Sequence, residues 1–211
     1  MHRKNKQGRF IVIDGIGGCG KTTHAELILK HLGTKAILTH EPGGAPRAEK
    51  IRKILLKGYE GGSPLSDFFL FWAARAEHMR EKIVPALLSG RHVISDRFDS
   101  ATFGFQMYGE KHPHLAKAFW AIREAVLGKH VPDAYIILDI PVEAAERRRA
   151  ARTPRKDRFD EKDRAFQKRT RAGFKAFAKA IGSRAHIVNA NRTPEEVDKD
   201  IWAIVRKVLR R

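Results

Sequence analysis

The sequence predicts an α/β fold in three layers, with a central parallel sheet of about five strands covered by helices on both faces. Three observations carry this expectation. Short apolar runs over 9–14, 36–39, 92–95, 134–139 and 185–188 have the length of buried strands. Segments of helical periodicity separate them, so strands and helices alternate from start to end. The runs are continuous rather than alternating, as in parallel sheets buried on both faces.

Taken in order, the first strand ends at Asp14 and a glycine-rich turn, and a helix is expected over 21–32. After the second strand, Pro42-Gly43-Gly44 breaks the chain before a helical stretch over 45–57 and a turn-rich loop over 58–64. The pattern over 65–88 predicts one long helix, bent near Pro85, whose ring removes a backbone donor. The third strand ends at Asp96-Arg97, followed by helices over 100–106 and 114–127. An Arg-rich helix over 142–151 follows the fourth strand, then a charged loop over 152–158 and a helix over 159–181. A helix over 194–209 closes the chain after the fifth strand.

With 211 residues, 42% of them hydrophobic, the chain can bury one sizeable core. The expected organisation is a basic tail over 1–8 and a single domain over 9–211. No apolar run approaches the roughly 20 residues that cross a bilayer, and the run over 10–13 is too short for a signal-peptide core. A soluble, cytoplasmic protein is expected. The one cysteine, Cys19, excludes an internal disulfide and fits a reducing compartment. The formal charge of +18 favours anionic partners: nucleotides, nucleic acid or acidic membranes. Its Lys and Arg residues are spread along the chain without a nucleic-acid motif, so nucleic-acid binding is not expected as the main function.

Gly15-Ile16-Gly17-Gly18-Cys19-Gly20-Lys21-Thr22 fits G-x-x-x-x-G-K-[ST], between a strand and a helix. Such a loop turns its N–H groups inward at phosphate oxygens, and the positive end of the following helix, where Thr23 also sits, adds to the attraction. Lys21 is expected at the β and γ phosphates and the Thr22 hydroxyl on Mg²⁺. ATP and Mg²⁺ are the cofactors implied, and the fold expectation sharpens to a P-loop NTPase. An ordinary glycine turn leaves the Lys-Thr spacing unexplained. The loop specifies a donor but no acceptor, because kinases, GTPases, helicases and transport ATPases share it.

Three further clusters narrow the choice: Glu41-Pro42-Gly43-Gly44, Phe71-Trp72-Ala73-Ala74-Arg75 and Asp96-Arg97-Phe98. With the phosphate loop in this order, and with Asp157-Arg158-Phe159-Asp160 and Arg169-Thr170-Arg171 behind them, the chain resembles the thymidylate kinase family from about residue 10 to its C-terminus. The resemblance implies ATP-dependent phosphorylation of dTMP to dTDP, in the supply of dTTP, and a homodimer. Arg52 and Arg97 match the family's acceptor-phosphate arginines. Two clustered anions need fixed cations, and a forked guanidinium suits phosphate. Arg97 follows a strand end, where such sheets place ligands; Arg52 competes with a reading as solvated helix face. Asp96, at the same strand end, is expected to share Mg²⁺ with Thr22. Asp14 and Glu41 are expected near the metal or the acceptor, or as loop-stabilising groups. Phe71 and Arg75, four residues apart, share a helix face. The resemblance gives them the pyrimidine, by stacking and by a bond to its carbonyl edge. Read without it, Phe71 among Phe68, Phe69, Leu70 and Trp72 belongs to the core. Thr102 matches a base-contacting position, Phe105 an aromatic beneath the sugar, and Gln106 is expected to touch the acceptor.

Arg147, Arg148, Arg149, Arg152, Arg155 and Arg158 crowd a lid over about 149–158. Lids of this kind exclude water and neutralise charge on the moving phosphoryl group. Some members of the family carry an arginine where this chain has Gly18, so here the lid is expected to supply the catalytic charge. Arg149 and Arg152 are the candidates, acting with Lys21, Arg97 and Asp96. Asn191 and Arg192 match a region bordering adenine. Gly17 stands where the family usually has an acid, His40 where it often has Arg, and Phe105 where it often has Tyr. A relaxed acceptor range, including dUMP, stays open. So do another P-loop nucleotide or nucleoside kinase, a P-loop nucleic-acid-binding protein and an inactive kinase.

Overall fold

The computed structural model describes residues 7–57, 63–151, 159 and 162–210. In chain order these form β1 (Phe10–Asp14), α1 (Lys21–Leu32), β2 (Ala36–His40), α2 (Pro46–Lys57), α3 (Pro64–His78), α4 (Val84–Leu88) and β3 (His92–Asp96). Then follow α5 (Asp99–Thr102), α6 (Ala116–Leu127), β4 (Ala134–Asp139), α7 (Val142–Ala150), α8 (Arg164–Ile181), β5 (Ala185–Asn189) and α9 (Pro194–Leu209). The five strands form one parallel sheet in the order β2-β3-β1-β4-β5, with helices on both sides. This is the P-loop NTPase architecture.

β1 and β4 consist of large apolar residues because both faces are covered; nearly every residue in them is buried. β5, at one edge, leaves Ile187 half exposed. All five strands end at a polar residue on the same sheet edge: Asp14, His40, Asp96, Asp139 and Asn189. The spatial order departs from the chain order around β1, and ligands of such sheets bind outside the carboxyl ends at that place.

Several boundaries differ from the sequence expectation. The 65–88 stretch is not one helix: a π-helical turn over Met79–Ile83 separates α3 from α4. Pro85 lacks the N–H that a regular turn would use here, which accounts for the widened turn just before it. A second π-helical stretch, Phe103–Gly109, extends α5 beyond the expected end at residue 106. α8 begins at Arg164 rather than 159, because the Asp163 carboxylate accepts from the Phe166 N–H at 2.6 Å and caps it there. α9 starts where expected, with a reciprocal capping box between Thr193 and Glu196.

Candidate active site

The first half of the site is the turn from β1 into α1. α1 starts at Lys21 with no side-chain cap and no acidic residue in its first turn. Its leading N–H groups are therefore open to an anion. Lys21 is buried and folds back on the loop, donating to the Ile16 carbonyl at 3.1 Å beside Cys19 Sγ. The Thr22 hydroxyl donates to Asp96 Oδ2 at 2.5 Å. β3 thus delivers its terminal carboxylate to the start of α1. A hydroxyl and a carboxylate are the hard oxygen donors that Mg²⁺ takes, so the pair fits that ion.

Gly18 has φ 83°, and a Cβ there would lie 2.5 Å from the Ala145 carbonyl and 3.1 Å from Arg149 Cγ. A side chain at this position would be strained and crowded; from α7, Arg149 Nη1 donates to the neighbouring Gly17 carbonyl at 2.7 Å. Arg152, Arg155, Arg158 and the loop over 152–158 lie outside the described residues. Beside the phosphate loop opens a cleft of about 610 Å³, bordered by Gly20, Thr23, His24, Arg148 and Arg192. Arg192 is held there by Asp200 and the Asn189 carbonyl. Asn191, expected beside it, does not line the cleft; its N–H is taken by Asn189 Oδ1 at 3.0 Å, in a tight turn. His24 was not singled out from sequence, since it belongs to no motif; Arg148 was named only as one of the Arg-rich cluster.

The second half is a cavity walled by Glu41, Phe71, Arg75, Arg97, Phe105 and Gln106, among others. Phe71 is partly buried: it packs against the hydrophobic core and also forms part of this wall. Arg97 has φ 71°, a costly conformation for a residue other than glycine. It turns the side chain from the end of β3 back toward the phosphate loop, where Nη1 donates to Asp14 Oδ1 at 3.1 Å and the Gly15 carbonyl at 3.0 Å. The Arg97 guanidinium sits 4.9 Å from the centre of the Phe105 ring. Asp14 is fully buried and lines neither cavity. It anchors Arg97 and accepts from Ser100 Oγ at 2.7 Å. Burial pushes its carboxyl above the usual range, although Arg97 and Lys21 pull it the other way.

Arg75 is 1% exposed. Its Nε donates to Glu41 Oε2 at 2.8 Å, and its Nη2 to the Phe98 carbonyl at 3.0 Å and Thr102 Oγ1 at 3.1 Å. Its guanidinium lies 4.5 Å from the centre of the Trp72 ring. The remaining nitrogen, Nη1, is buried without a hydrogen-bond partner, and so is Gln106 Nε2. Buried donors are normally satisfied, because leaving one unpaired costs about 1–3 kcal/mol. Thr102 is placed differently from the sequence expectation: it does not line the cavity but receives a bond from Arg75. Glu41 lines it with both oxygens already engaged, by Arg75 and His78. Arg52 does not line it either; its guanidinium donates to the Pro42 carbonyl, on the turn that does.

Comparison with known proteins follows the same lines. The family model for thymidylate kinase matches residues 13–201. The chain belongs to the thymidylate kinase family. The thymidylate kinase of Dinoroseobacter shibae is 39% identical over 200 residues, covering 93% of this chain and 95% of that one. That of Methylobacillus flagellatus is 38% identical over 205 residues, covering 95% and 98%. Among solved structures, the thymidylate kinase of Ehrlichia chaffeensis superposes with a TM-score of 0.76 at 27% identity, covering 94% of this chain and 99% of that one. Thymidylate kinases are nucleoside monophosphate kinases with ATP as donor. The nucleic-acid-binding and other-kinase alternatives are not favoured. Among the described residues, no helix is long and apolar enough to cross a membrane.

Proposed function

We propose that the chain transfers the γ-phosphoryl group of ATP to dTMP, giving dTDP for dTTP synthesis, with the phosphate-loop cleft as donor site and the cavity beside Arg75 as acceptor site. The observation that carries this reading is the pair of unpartnered donors on Arg75 and Gln106, in a wall that also contains Phe71 and Arg97. A pyrimidine ring offers carbonyls to those donors and a face to Phe71. Arg97 spans the two halves, since it lines the cavity and bonds the first residue of the phosphate loop.

In this reading the amides of Gly15 to Gly20, with Lys21, hold the donor phosphates. Thr22 and Asp96 would hold Mg²⁺, which when bound would offset charge on those phosphates. Arg97 holds the acceptor phosphate, and Arg52, which donates to the Pro42 carbonyl on the turn that lines the cavity, is the second cation for it. Phe105 packs below the sugar, and Thr102 and Glu41 fix Arg75. An acceptor phosphate oxygen is itself the nucleophile, so no strong general base is needed. Arg149, with Arg152 from a lid over about 149–158, meets the charge that spreads over the transferring group. Arg192 borders the adenine, and Asn191 shapes the turn that carries it. The single catalytic domain over 9–211 works as a cytoplasmic homodimer; Leu65 and Phe69, about half exposed one turn apart on α3, support that assembly.

A coupled ADP-release assay with a panel of nucleoside monophosphates tests the reading. Turnover is expected with dTMP, and turnover with dUMP at a comparable kcat/KM would extend the range. Turnover with other monophosphates and none with dTMP would contradict the assignment.

A further inference from the structure

Behind the acceptor cavity stands a buried chain of polar side chains, of which the reaction scheme uses Arg75 and Glu41 and leaves His78 and Thr39 without a role. His78, on the last turn of α3, is fully enclosed. Its Nδ1 lies 3.1 Å from Glu41 Oε1 and its Nε2 2.7 Å from Thr39 Oγ1. A carboxylate can only accept, so Nδ1 carries the proton shared with Glu41; in the neutral ring Nε2 accepts from the Thr39 hydroxyl. The other Glu41 oxygen, Oε2, takes Arg75 Nε at 2.8 Å and lies 2.8 Å from Nη2. The chain Thr39–His78–Glu41–Arg75 therefore ends at Arg75 Nη1, the buried donor with no protein partner. The turn after Glu41 closes over it only because of Gly44. A Cβ at that position would lie 2.5 Å from His78 Nε2 and 2.6 Å from Thr39 Oγ1, and its φ of 82° favours glycine in any case.

We propose that His78 is a positioning residue for recognition of the acceptor base. The terminal torsion of a glutamate is broad, so a carboxylate held at one oxygen can still turn. His78 holds Oε1, which sets the direction of Oε2, which orients the guanidinium and aims Nη1 at a carbonyl on the pyrimidine edge. Removing the imidazole frees Glu41 to rotate and leaves Oε1 buried without a donor. Affinity for the base then falls while the phosphate-loop half, reached through other residues, is untouched. This inference rests on the acceptor-site reading above.

Steady-state kinetics of the full chain with dTMP and ATP test it, with thermal melting alongside. His78→Ala is expected to raise the KM for dTMP about tenfold, the scale of one lost bond to a charged group. Its kcat and its KM for ATP should stay within about twofold of wild type. The amide of Asn overlays the Nδ1 position and that of Gln the Nε2 position. His78→Asn should therefore bring the dTMP KM back to within about threefold of wild type, while His78→Gln should not. In an Arg75→Ala background, His78→Ala should add little, because the two act as one unit. If His78→Ala proves too unstable to assay, the Asn and Gln variants decide alone. Rescue by Gln and not by Asn would overturn the proposal. So would a parallel change in the KM values of both substrates, which marks a packing role. Arg75→Ala with an unchanged dTMP KM would defeat the acceptor-site reading itself.

Discussion

The two halves of the site are built in opposite ways. The donor half is made of backbone: an uncapped helix start, glycine turns and carbonyls, with Thr22 and Thr23 exposed and Arg149 reaching in from α7. The acceptor half is made of side chains held by other side chains: Asp14 by Arg97 and Ser100, Arg75 by Glu41 and Thr102, Glu41 by His78. A phosphate chain is recognised by charge and by N–H groups, which any sequence supplies once the turn is made. A pyrimidine must be told from other bases, and that takes a few donors at fixed positions in a dry cavity. On the proposed reading, the difference teaches that phosphate binding is a property of the fold, and base choice a property of a buried network added to it.

Substitutions break the two halves differently. Lys21→Ala removes the buried ammonium that folds back on the phosphate loop. It should lower kcat by about three orders of magnitude or more, with far-UV circular dichroism and melting temperature near wild type. Arg97→Lys attacks the joint between the halves. It keeps the charge but loses the fork, so kcat/KM for dTMP should fall about a hundredfold while the KM for ATP changes little. Equal loss for both substrates would mean that Arg97 serves the donor half as well. Asp99→Asn lies outside both halves. Asp99 accepts from Arg123 Nε at 2.6 Å and from the Tyr135 hydroxyl at 2.8 Å, all three being buried. Breaking such a pair should cost about 3 kcal/mol in urea unfolding, with kcat close to wild type at low temperature. A catalytic defect larger than the stability defect would show that the 99–102 segment tunes Arg97 or Arg75.

The same contrast governs how much was legible from sequence. The phosphate loop was, because its spacing is local and its mechanism is backbone geometry. α1, β4 and α9 fall at the expected residues, since glycines, continuous apolar runs and a Thr193–Glu196 capping box mark their ends. Several boundaries were not legible. The helix expected from Phe159 starts only after the Asp163 cap, the stretch expected to end at Gln106 runs on to Gly109, and the periodicity over 65–88 concealed the π-helical turn that Pro85 imposes. The acceptor network was the least legible part. Thr39 and His78 are 39 positions apart, and Glu41 and Arg75 are 34 apart, so only the folded sheet edge brings them together. Phe71 read as core by its neighbours, because apolar composition does not say which ring faces a cavity. Thr102 and Asn191 were expected as contact residues, but the Thr102 hydroxyl accepts from Arg75 and the Asn191 backbone N–H is taken by Asn189.

The most direct measurement is a crystal structure of the chain with dTMP and a non-hydrolysable ATP analogue. The account predicts the pyrimidine against the Phe71 ring with a carbonyl bonded to Arg75 Nη1, the acceptor phosphate on Arg97, and the donor phosphates over Lys21. A pyrimidine bound elsewhere, with Arg75 Nη1 still unpaired, would contradict it.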